Sequence, residues 1–536
     1  MKVAIFGGYG VFGSRLAELL IRDGHAVFII GRKRAAAEGL AAKLGGSALQ
    51  LDRAGDLAPL WARSPDAVVD AAGPFHAYGA DPYRLAKSAI AQGVSYLDLA
   101  DDAEFCAGIA VLDAEAKAAG VFALSGMSSV PALSSAVVAA LSDGVDEIDL
   151  IETAILPGNR APRGLAVIDS ILHQAGTDID VTIDGVAEPL RSWSASQMFD
   201  LPKRIKRRGF MIRVPDQSLF PDFFKARSVT FYAGLEVGVM NHGLAAFAWL
   251  RHKLGFGIAP WFSKAMRWAA NLLHGLGTDA GGMTVRVICR TGDHWENRIW
   301  RLLVRKEEGP YVPAVSVRAV LRNPALITPG ARPGLVAYSL GDAEAAMEDL
   351  AAETVRETRR LEPLFAQVLG EDIDTLDPAV QASHQTYGPR RWTGTAKITR
   401  GAGVWPAFLA RMFGFPKATE ATPVTVLKTP QNGQETWERR FGDQVFRSRL
   451  TQGPKGMREA FGPFSFDLGL HVDAGGLHFP VTGGRLFGVP LPKVCLPISE
   501  ARETEVNGVF QFDVALRAPL TGQLIVHYRG HLRRDI

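Results

Sequence analysis

Four glycines near the start of the chain carry its most specific chemical signal. They are Gly7, Gly8, Gly10 and Gly13, set in Met-Lys-Val-Ala-Ile-Phe-Gly-Gly-Tyr-Gly-Val-Phe-Gly. Gly8-x-Gly10-x-x-Gly13 is the spacing that lets a backbone turn sharply, approach a pyrophosphate and then pack a helix on the preceding strand. One glycine takes a positive φ, and the helix that follows offers free N–H groups to phosphate. Gly7, Gly8, Tyr9, Gly10, Val11, Phe12 and Gly13 are therefore expected to wrap a dinucleotide. The same spacing also serves a tight strand-to-helix turn that holds no ligand.

The residues after the next strand choose between dinucleotides. An acidic residue there bonds the ribose hydroxyls of NAD. This chain has Gly31-Arg32-Lys33-Arg34 instead. A carboxylate would repel a 2′-phosphate, whereas a guanidinium binds phosphate oxygens in a fork. NADP is expected, with Arg32 as the leading contact and Lys33 beside it; the competing reading is a solvated basic helix start. Asp52 either reaches the adenine amino group or caps the helix that starts near Asp56. Ala72-Gly73-Pro74 forms a small-residue turn at a strand's carboxyl end, where open α/β sheets bind ligands.

No His-Glu-x-x-His, Gly-x-Ser-x-Gly or Gly-Lys-Ser/Thr sequence occurs, and no carboxylate set suggests a metal. The chemistry left is hydride transfer to or from C4 of a nicotinamide, with a carbonyl or imine carbon placed against it and a proton donor nearby. Tyr78, Asp98 and Asp101 are the candidates for that proton, at or beyond strand ends. Ser125 and Ser128 are read as lining the same cleft. Asp98 has a competing role as a backbone cap.

Alternating apolar strands and helices must position these groups. Strands are expected at Lys2–Phe6, His25–Gly31, Ser47–Leu51, Ala67–Ala72, Ser95–Leu99 and Val121–Leu124, with helices at Ser14–Arg22, Tyr83–Gly93 and Ala103–Ala119. That order predicts a doubly wound parallel sheet, an α/β Rossmann domain over 1–125. An α+β substrate or dimerisation domain is expected over 126–345. Its elements include a strand Glu147–Ala154 wet on one face, a helix Leu165–Ala175, further strands at Val181–Ile183, Met211–Val214 and Ser228–Ala233, and a hairpin across Thr291-Gly292-Asp293. Leu340–Arg360 reads as a polar helical linker. Beyond it, 355–536 is mainly antiparallel β and barrel-like, its turns marked by Asn432-Gly433, Gly475-Gly476 and Asn507-Gly508. Such a barrel can hold an apolar ligand. Phe464–Val472 and Leu477–Val481 are each read as one strand, and most of Arg439, Arg440, Arg447, Arg449 and Glu459 as an exterior face.

Residues 1 to about 340 resemble the saccharopine dehydrogenase-like, or saccharopine reductase-like, family. The resemblance rests on Gly7–Gly13, Gly31-Arg32, Ala71–Phe75 with Tyr78-Gly79, Ser95–Asp98 and Gly126–Leu133. It implies an NADP-binding Rossmann domain followed by an α+β domain that covers the cleft. Lysine-pathway members carry an Asp-Pro-Gly type turn near Gly126. This chain has serines and Val-Pro there, so the resemblance does not extend to saccharopine as substrate. Residues 361–532 resemble an uncharacterised domain that often follows such a module in bacteria. That resemblance rests on Trp437–Phe441, Glu459-x-Phe461-Gly462-Pro463, Leu486–Pro492 and Pro519-Leu520 with Tyr528-Arg529-Gly530.

Bulk properties narrow the class. The 536 residues carry a net charge of +3, too little to suggest nucleic acid. Three separated cysteines offer no disulfide framework and fit a reducing cytoplasm. Lys203–Arg208 is one dense basic run, read as a solvated loop, an anionic-substrate patch or a membrane-surface patch. Leu244–Leu276 is rich in Trp249, Trp261, Trp268 and other apolar residues but too interrupted to span a bilayer. It is read first as core or homodimer-interface helices, and second as amphipathic helices in peripheral contact with a membrane. Two functions follow: an NADP-dependent oxidoreductase acting on a small or lipophilic carbonyl or imine, or a non-catalytic binder of NADP and an apolar ligand.

Overall fold

Four apolar residues after Lys2 make β1 (Lys2–Phe6) a strand buried on both faces. In this computed structural model β1 lies inside a seven-stranded parallel sheet. Beside it run β2 (Ala26–Gly31), β3 (Ser47–Gln50), β4 (Ala67–Asp70), β5 (Ser95–Asp98) and β6 (Phe122–Ser125). The order is Gly330–Pro333, β6, β5, β4, β1, β2, β3. The direction of winding reverses between β1 and β4, which is where doubly wound sheets bind ligands. The structure describes every residue except 163, 164, 258–265, 267, 269–271, 455, 535 and 536, and the side chains of 165–168 and 274 are also outside it.

The Rossmann expectation holds, with local differences. The helix expected at Ala103–Ala119 is broken into Ala103–Gly108, a 3₁₀ turn and Asp113–Ala118. Gly330–Pro333 pairs in parallel with β6 as a seventh strand. Ala331 N also donates to Asp113 Oδ1, at 3.0 Å. These partners lie some two hundred residues upstream, so no local pattern announces the strand.

A second, mixed sheet carries Ser194–Leu201, Ile205–Met211, Ser228–Ala233, Glu147–Leu156, Gly281–Thr291, His294–Val304 and Ala352–Leu361, in that order. Its central strand Glu147–Leu156 is buried on both faces rather than wet on one. The polar residues in it find protein partners: Glu152 pairs with Arg286 at 3.0 Å and accepts from Gln197 at 2.5 Å. The expected strand Met211–Val214 ends at Met211. The basic run lies partly on that strand and is neutralised piecewise, with Lys203 on Glu353 at 3.1 Å and Arg207 on Glu236 at 2.6 Å. The expected linker is half strand. Only Leu340–Ala345 is helical, and Ala352–Leu361 forms the sheet's edge. Its charges pair across to the neighbouring strand, Arg301 to Glu357 at 2.8 Å, so a polar composition conceals a strand.

Helix Gly238–Leu254 buries only Asn241 and Ala248. Trp249, Leu250, Leu254, Phe256, Trp268, Leu272 and Leu276 are exposed in the single chain, so of the preferred reading, core or homodimer interface, the core half does not hold for them. Ile258, Pro260, Trp261, Phe262, Lys264 and Arg267 of that segment lie outside the described residues, as does Arg163 before the helix Leu165–Gln174.

The chain separates into one unit of 1–292 with 296–359 and another of 293–295 with 360–536. The first contains both sheets, which share a continuous apolar core from Val3 to Leu350. The second is built on a 13-stranded antiparallel sheet. Two expected strands of this sheet are each split. Phe464–Leu468 lies near one end of the strand order and His471–Asp473 at the other. Gly476–His478 and Val481–Leu486 divide in the same way. The chain crosses twice between the two ends, and Gly469 N donates to Pro480 O at 2.9 Å where it does so. The sheet therefore curls around one interior, as expected of a barrel-like domain.

Of the charged residues read as exterior, Arg440 and Arg447 are exposed. Arg439 and Glu459 face inward and pair at 3.1 Å. Among the described residues no helix is long and apolar enough to cross a membrane, and no group of three His, Cys, Asp or Glu could hold a metal ion.

Candidate cofactor site

Gly7 leaves β1 with φ +68°, a conformation that favours glycine. A Cβ on it would stand 2.6 Å from Ala71 O and 2.6 Å from Ala72 Cα, so the turn after β1 lies against the turn after β4. Gly8 N donates to Ile30 O at 3.1 Å, tying the same turn to β2. A Cβ on Gly13 would meet Gly7 O at 2.3 Å. α1 (Val11–Arg22) can therefore start directly over the turn. No side chain caps its first turn and no acidic residue sits there. The uncapped first turn of α1 is left open beside a turn whose positions lack side chains, the arrangement that suits a pyrophosphate.

Tyr9 has a defined place. Its ring lies where a Cβ on Gly31 would be, 2.2 Å from Tyr9 Cε1. Its hydroxyl accepts the Lys33 N–H at 3.1 Å. The glycine turn thus clamps the basic loop after β2. Within that loop Arg34 is spent on Glu38 at 2.7 Å. Arg32 and Lys33 are exposed and make no ion pair among the described residues. Gln50 Nε2 donates to Arg32 O at 3.1 Å and steadies the loop from β3. Asp52 accepts from Ala54 N at 3.0 Å and Asp56 from Ala58 N at 2.9 Å, two Asx turns in succession. Ala72, Gly73 and Pro74 form the exposed or half-buried turn beyond β4.

The candidate proton carriers separate. Tyr78 donates its hydroxyl to Asp70 Oδ1 at 3.0 Å, and its ring centre lies 3.4 Å from Arg53 Cζ. Burial and the Asp70 carboxylate push its pKa far up. Asp98 is fully buried. Its Oδ1 accepts from Ser125 Oγ, Gly126 N and Ala100 N at 2.8–3.0 Å, while Oδ2 has no partner. Burial pushes its pKa up to about 7, against hydrogen bonds that favour the ionised form. Asp101 is exposed in the loop beyond β5, where Asp102 caps the following helix through Phe105 N at 2.9 Å. Ser125 is buried and Ser128 half-buried.

Two residues of this edge are missed by the sequence reading. Asp70 ends β4 directly beside Asp98 in the register. It is bound by Arg53 Nε at 3.0 Å and by Ala72 N at 3.0 Å. Arg53 also donates to Pro82 O at 2.6 Å, so one guanidinium links the loops after β3 and β4. A polar last residue on the apolar strand Ala-Val-Val-Asp is the only trace of this in the sequence.

Residues 3–124 match the family described as Saccharopine dehydrogenase NADP binding domain. Residues 376–532 match the family described as Domain of unknown function (DUF4166). No curated protein matches the chain. Among solved structures, saccharopine dehydrogenase (L-Glu forming) from Saccharomyces cerevisiae aligns at 13% identity and TM-score 0.47, over 66% of this chain and 99% of its own. A "probable dehydrogenase" from Thermotoga maritima aligns at 11% and 0.33, over 65% and 93%. An oxidoreductase from Sinorhizobium meliloti aligns at 11% and 0.29, over 65% and 94%. By the family match alone, residues 3–124 are an NADP-binding domain of the saccharopine dehydrogenase type, and residues 376–532 match a domain to which no function is attached.

Proposed function

We propose that this NADP-binding chain is an oxidoreductase that moves a hydride between NADP and a small or lipophilic carbonyl or imine. The observation that carries the reading is the side-chain-free cradle of Gly7, Gly8, Gly10 and Gly13 at the β1/β4 switch point. The first turn of α1 would hold the pyrophosphate, and Arg32 with Lys33 the 2′-phosphate. Bound NADP supplies the hydride acceptor or donor at C4 of its nicotinamide. With the phosphate end over β2, the substrate side falls to the ends of β4 and β5. There Arg53 and Asp70 hold Tyr78 in place, and Asp98 holds the Ser125-Gly126 turn. Asp101 is the exposed carboxyl at this edge and the group we assign to proton exchange with the substrate.

Arg32→Asp tests the phosphate contact. One charge-assisted phosphate pair contributes about 1.5–3 kcal/mol. NADPH affinity is expected to fall about 10- to 100-fold by fluorescence titration, with NADH binding unchanged or tighter. Unaltered preference for NADPH would reject the assignment of Arg32.

A second reading has its own observation, the uncovered apolar face of Gly238–Leu254. As a non-catalytic NADP binder the protein would use it against a membrane. Flotation with vesicles of phosphatidylcholine and phosphatidylglycerol separates the two. An enzyme that does not use this face on membranes stays at the bottom of the gradient, whereas the second reading needs flotation that Trp249→Glu abolishes.

A further inference from the structure

The curled sheet of the second unit encloses a cavity of about 140 Å³. A cavity of about 150 Å³ is enough for one benzene-sized apolar group. Its wall is largely aromatic, with Phe415, Phe441, Phe446, Phe466, Phe510 and Phe512 among the lining residues. Charged residues line it too, the cations Lys428, Arg439 and Arg502 and the carboxylates Glu459 and Glu503.

Arg439 is mostly buried, 13% exposed. It donates to Ser448 Oγ at 2.7 Å and to Glu459 at 3.1 Å, which uses two of its five N–H donors. Its Cζ lies 4.6 Å from the Trp437 ring centre and 5.5 Å from that of Phe446. Lys428 sits across the same Trp437 at 4.1 Å and donates to Ser383 O at 2.6 Å. Three carboxyl groups serve these two cations. Glu459 is engaged with Arg439, and Glu503 bonds His384 at 2.5 Å. Glu435 is held up to about 7 by burial, so it is only partly ionised near neutrality. The guanidinium therefore has donors to spare inside an apolar chamber.

The chamber is reached from outside. Phe413, Phe461 and Val481 line it and are only half buried. The helix Val404–Met412 runs straight into Phe413 and exposes Val404, Trp405, Phe408 and Met412. An apolar surface thus leads to an apolar interior that carries a guanidinium.

We propose that the second unit binds a small apolar carboxylate of about benzoate size. Arg439 takes the carboxylate, the aromatic wall takes the apolar group, and the ligand enters beside the helix Val404–Met412. The site stands independently of the oxidoreductase reading, because none of its residues belongs to the NADP-binding domain.

Titration calorimetry of the full chain with benzoate, benzyl alcohol and benzylammonium tests it. Benzoate is expected to bind at least ten-fold tighter than benzyl alcohol, and the cation weakest. Arg439→Gln should erase the preference of benzoate over benzyl alcohol, and Leu450→Trp, which narrows the chamber, should weaken both. The ranking by the unaltered protein decides even if a variant does not fold. Equal binding of the three probes, or none, overturns the proposal.

Discussion

Gly13→Ala is expected to abolish useful NADP binding and to lower stability as well. The new Cβ would stand 2.3 Å from Gly7 O, 2.9 Å from Gly7 C and 3.0 Å from Gly8 Cα. All three atoms are backbone, so no flexible side chain can give way. Either α1 lifts from the turn or the turn moves off β2, to which Gly8 N is bonded. Forcing one methyl into a packed site costs about 1–3 kcal/mol. The cofactor suffers more, because the first turn of α1 and the Gly7 turn must meet the same pyrophosphate. Affinity for NADPH should fall at least about 100-fold, and thermal unfolding should come at a lower temperature. Gly39→Ala is the matched control. Gly39 lies in the helix Arg34–Leu44 with nothing within 4 Å of its would-be Cβ. There alanine should raise stability by about 1 kcal/mol and leave NADPH binding alone. Binding by Gly13→Ala within three-fold of the unaltered protein would sink the cradle.

Arg318→Ala is expected to cost the first unit about 3–5 kcal/mol, the penalty for removing one partner of a buried ion pair. Arg318 is 2% exposed, on the helix Val312–Arg322. It donates to Asp23 Oδ2 at 2.9 Å and Oδ1 at 2.8 Å, to Asp349 Oδ1 at 2.5 Å and to Ala346 O at 2.9 Å. One side chain thus ties the end of α1 to two distant segments, and its loss leaves Asp23 with Arg322 alone and Asp349 with Arg22 alone. Burial works against the ionised form of Asp23. The hydrogen bonds from Arg318 and Arg322 outweigh it and hold its pKa well below the usual carboxylate range. The sign follows from that depression: the pair stabilises the fold above the unfolded value of about 3.9 and is lost as pH falls below it. Urea unfolding at pH 7 and pH 3 should therefore show a large deficit for Arg318→Ala at the higher pH and a smaller one at the lower. A deficit that does not change with pH would assign the effect to packing, not charge.

The strand Lys2–Phe6, the glycine turn and α1 were legible because each depends on neighbours a few residues away. A positive φ at Gly7 and a crowded Gly13 are local demands that residue types alone can announce. The basic residues after β2 were legible for the same reason. The carboxyl-terminal strands showed their alternation and their Asn-Gly and Gly-Gly turns.

Other features required the tertiary structure. That Tyr78 is held by Asp70 at the end of β4 and by Arg53 from the loop after β3 is visible only in the fold. That Asp98 accepts from Ser125 and Gly126 likewise depends on strands that meet only in the fold. The segment Ala352–Leu361 looked like a linker because its charges find partners in scattered places, Glu357 on Arg301, Glu353 on Lys203 and Arg356 on Glu344. Arg439 and Arg440 are adjacent in sequence, and alternation puts them on opposite faces. It does not say which face curls inward. That choice belongs to the closure of the whole sheet, whose free energy is shared among strands far apart in the chain and written in no short stretch of it.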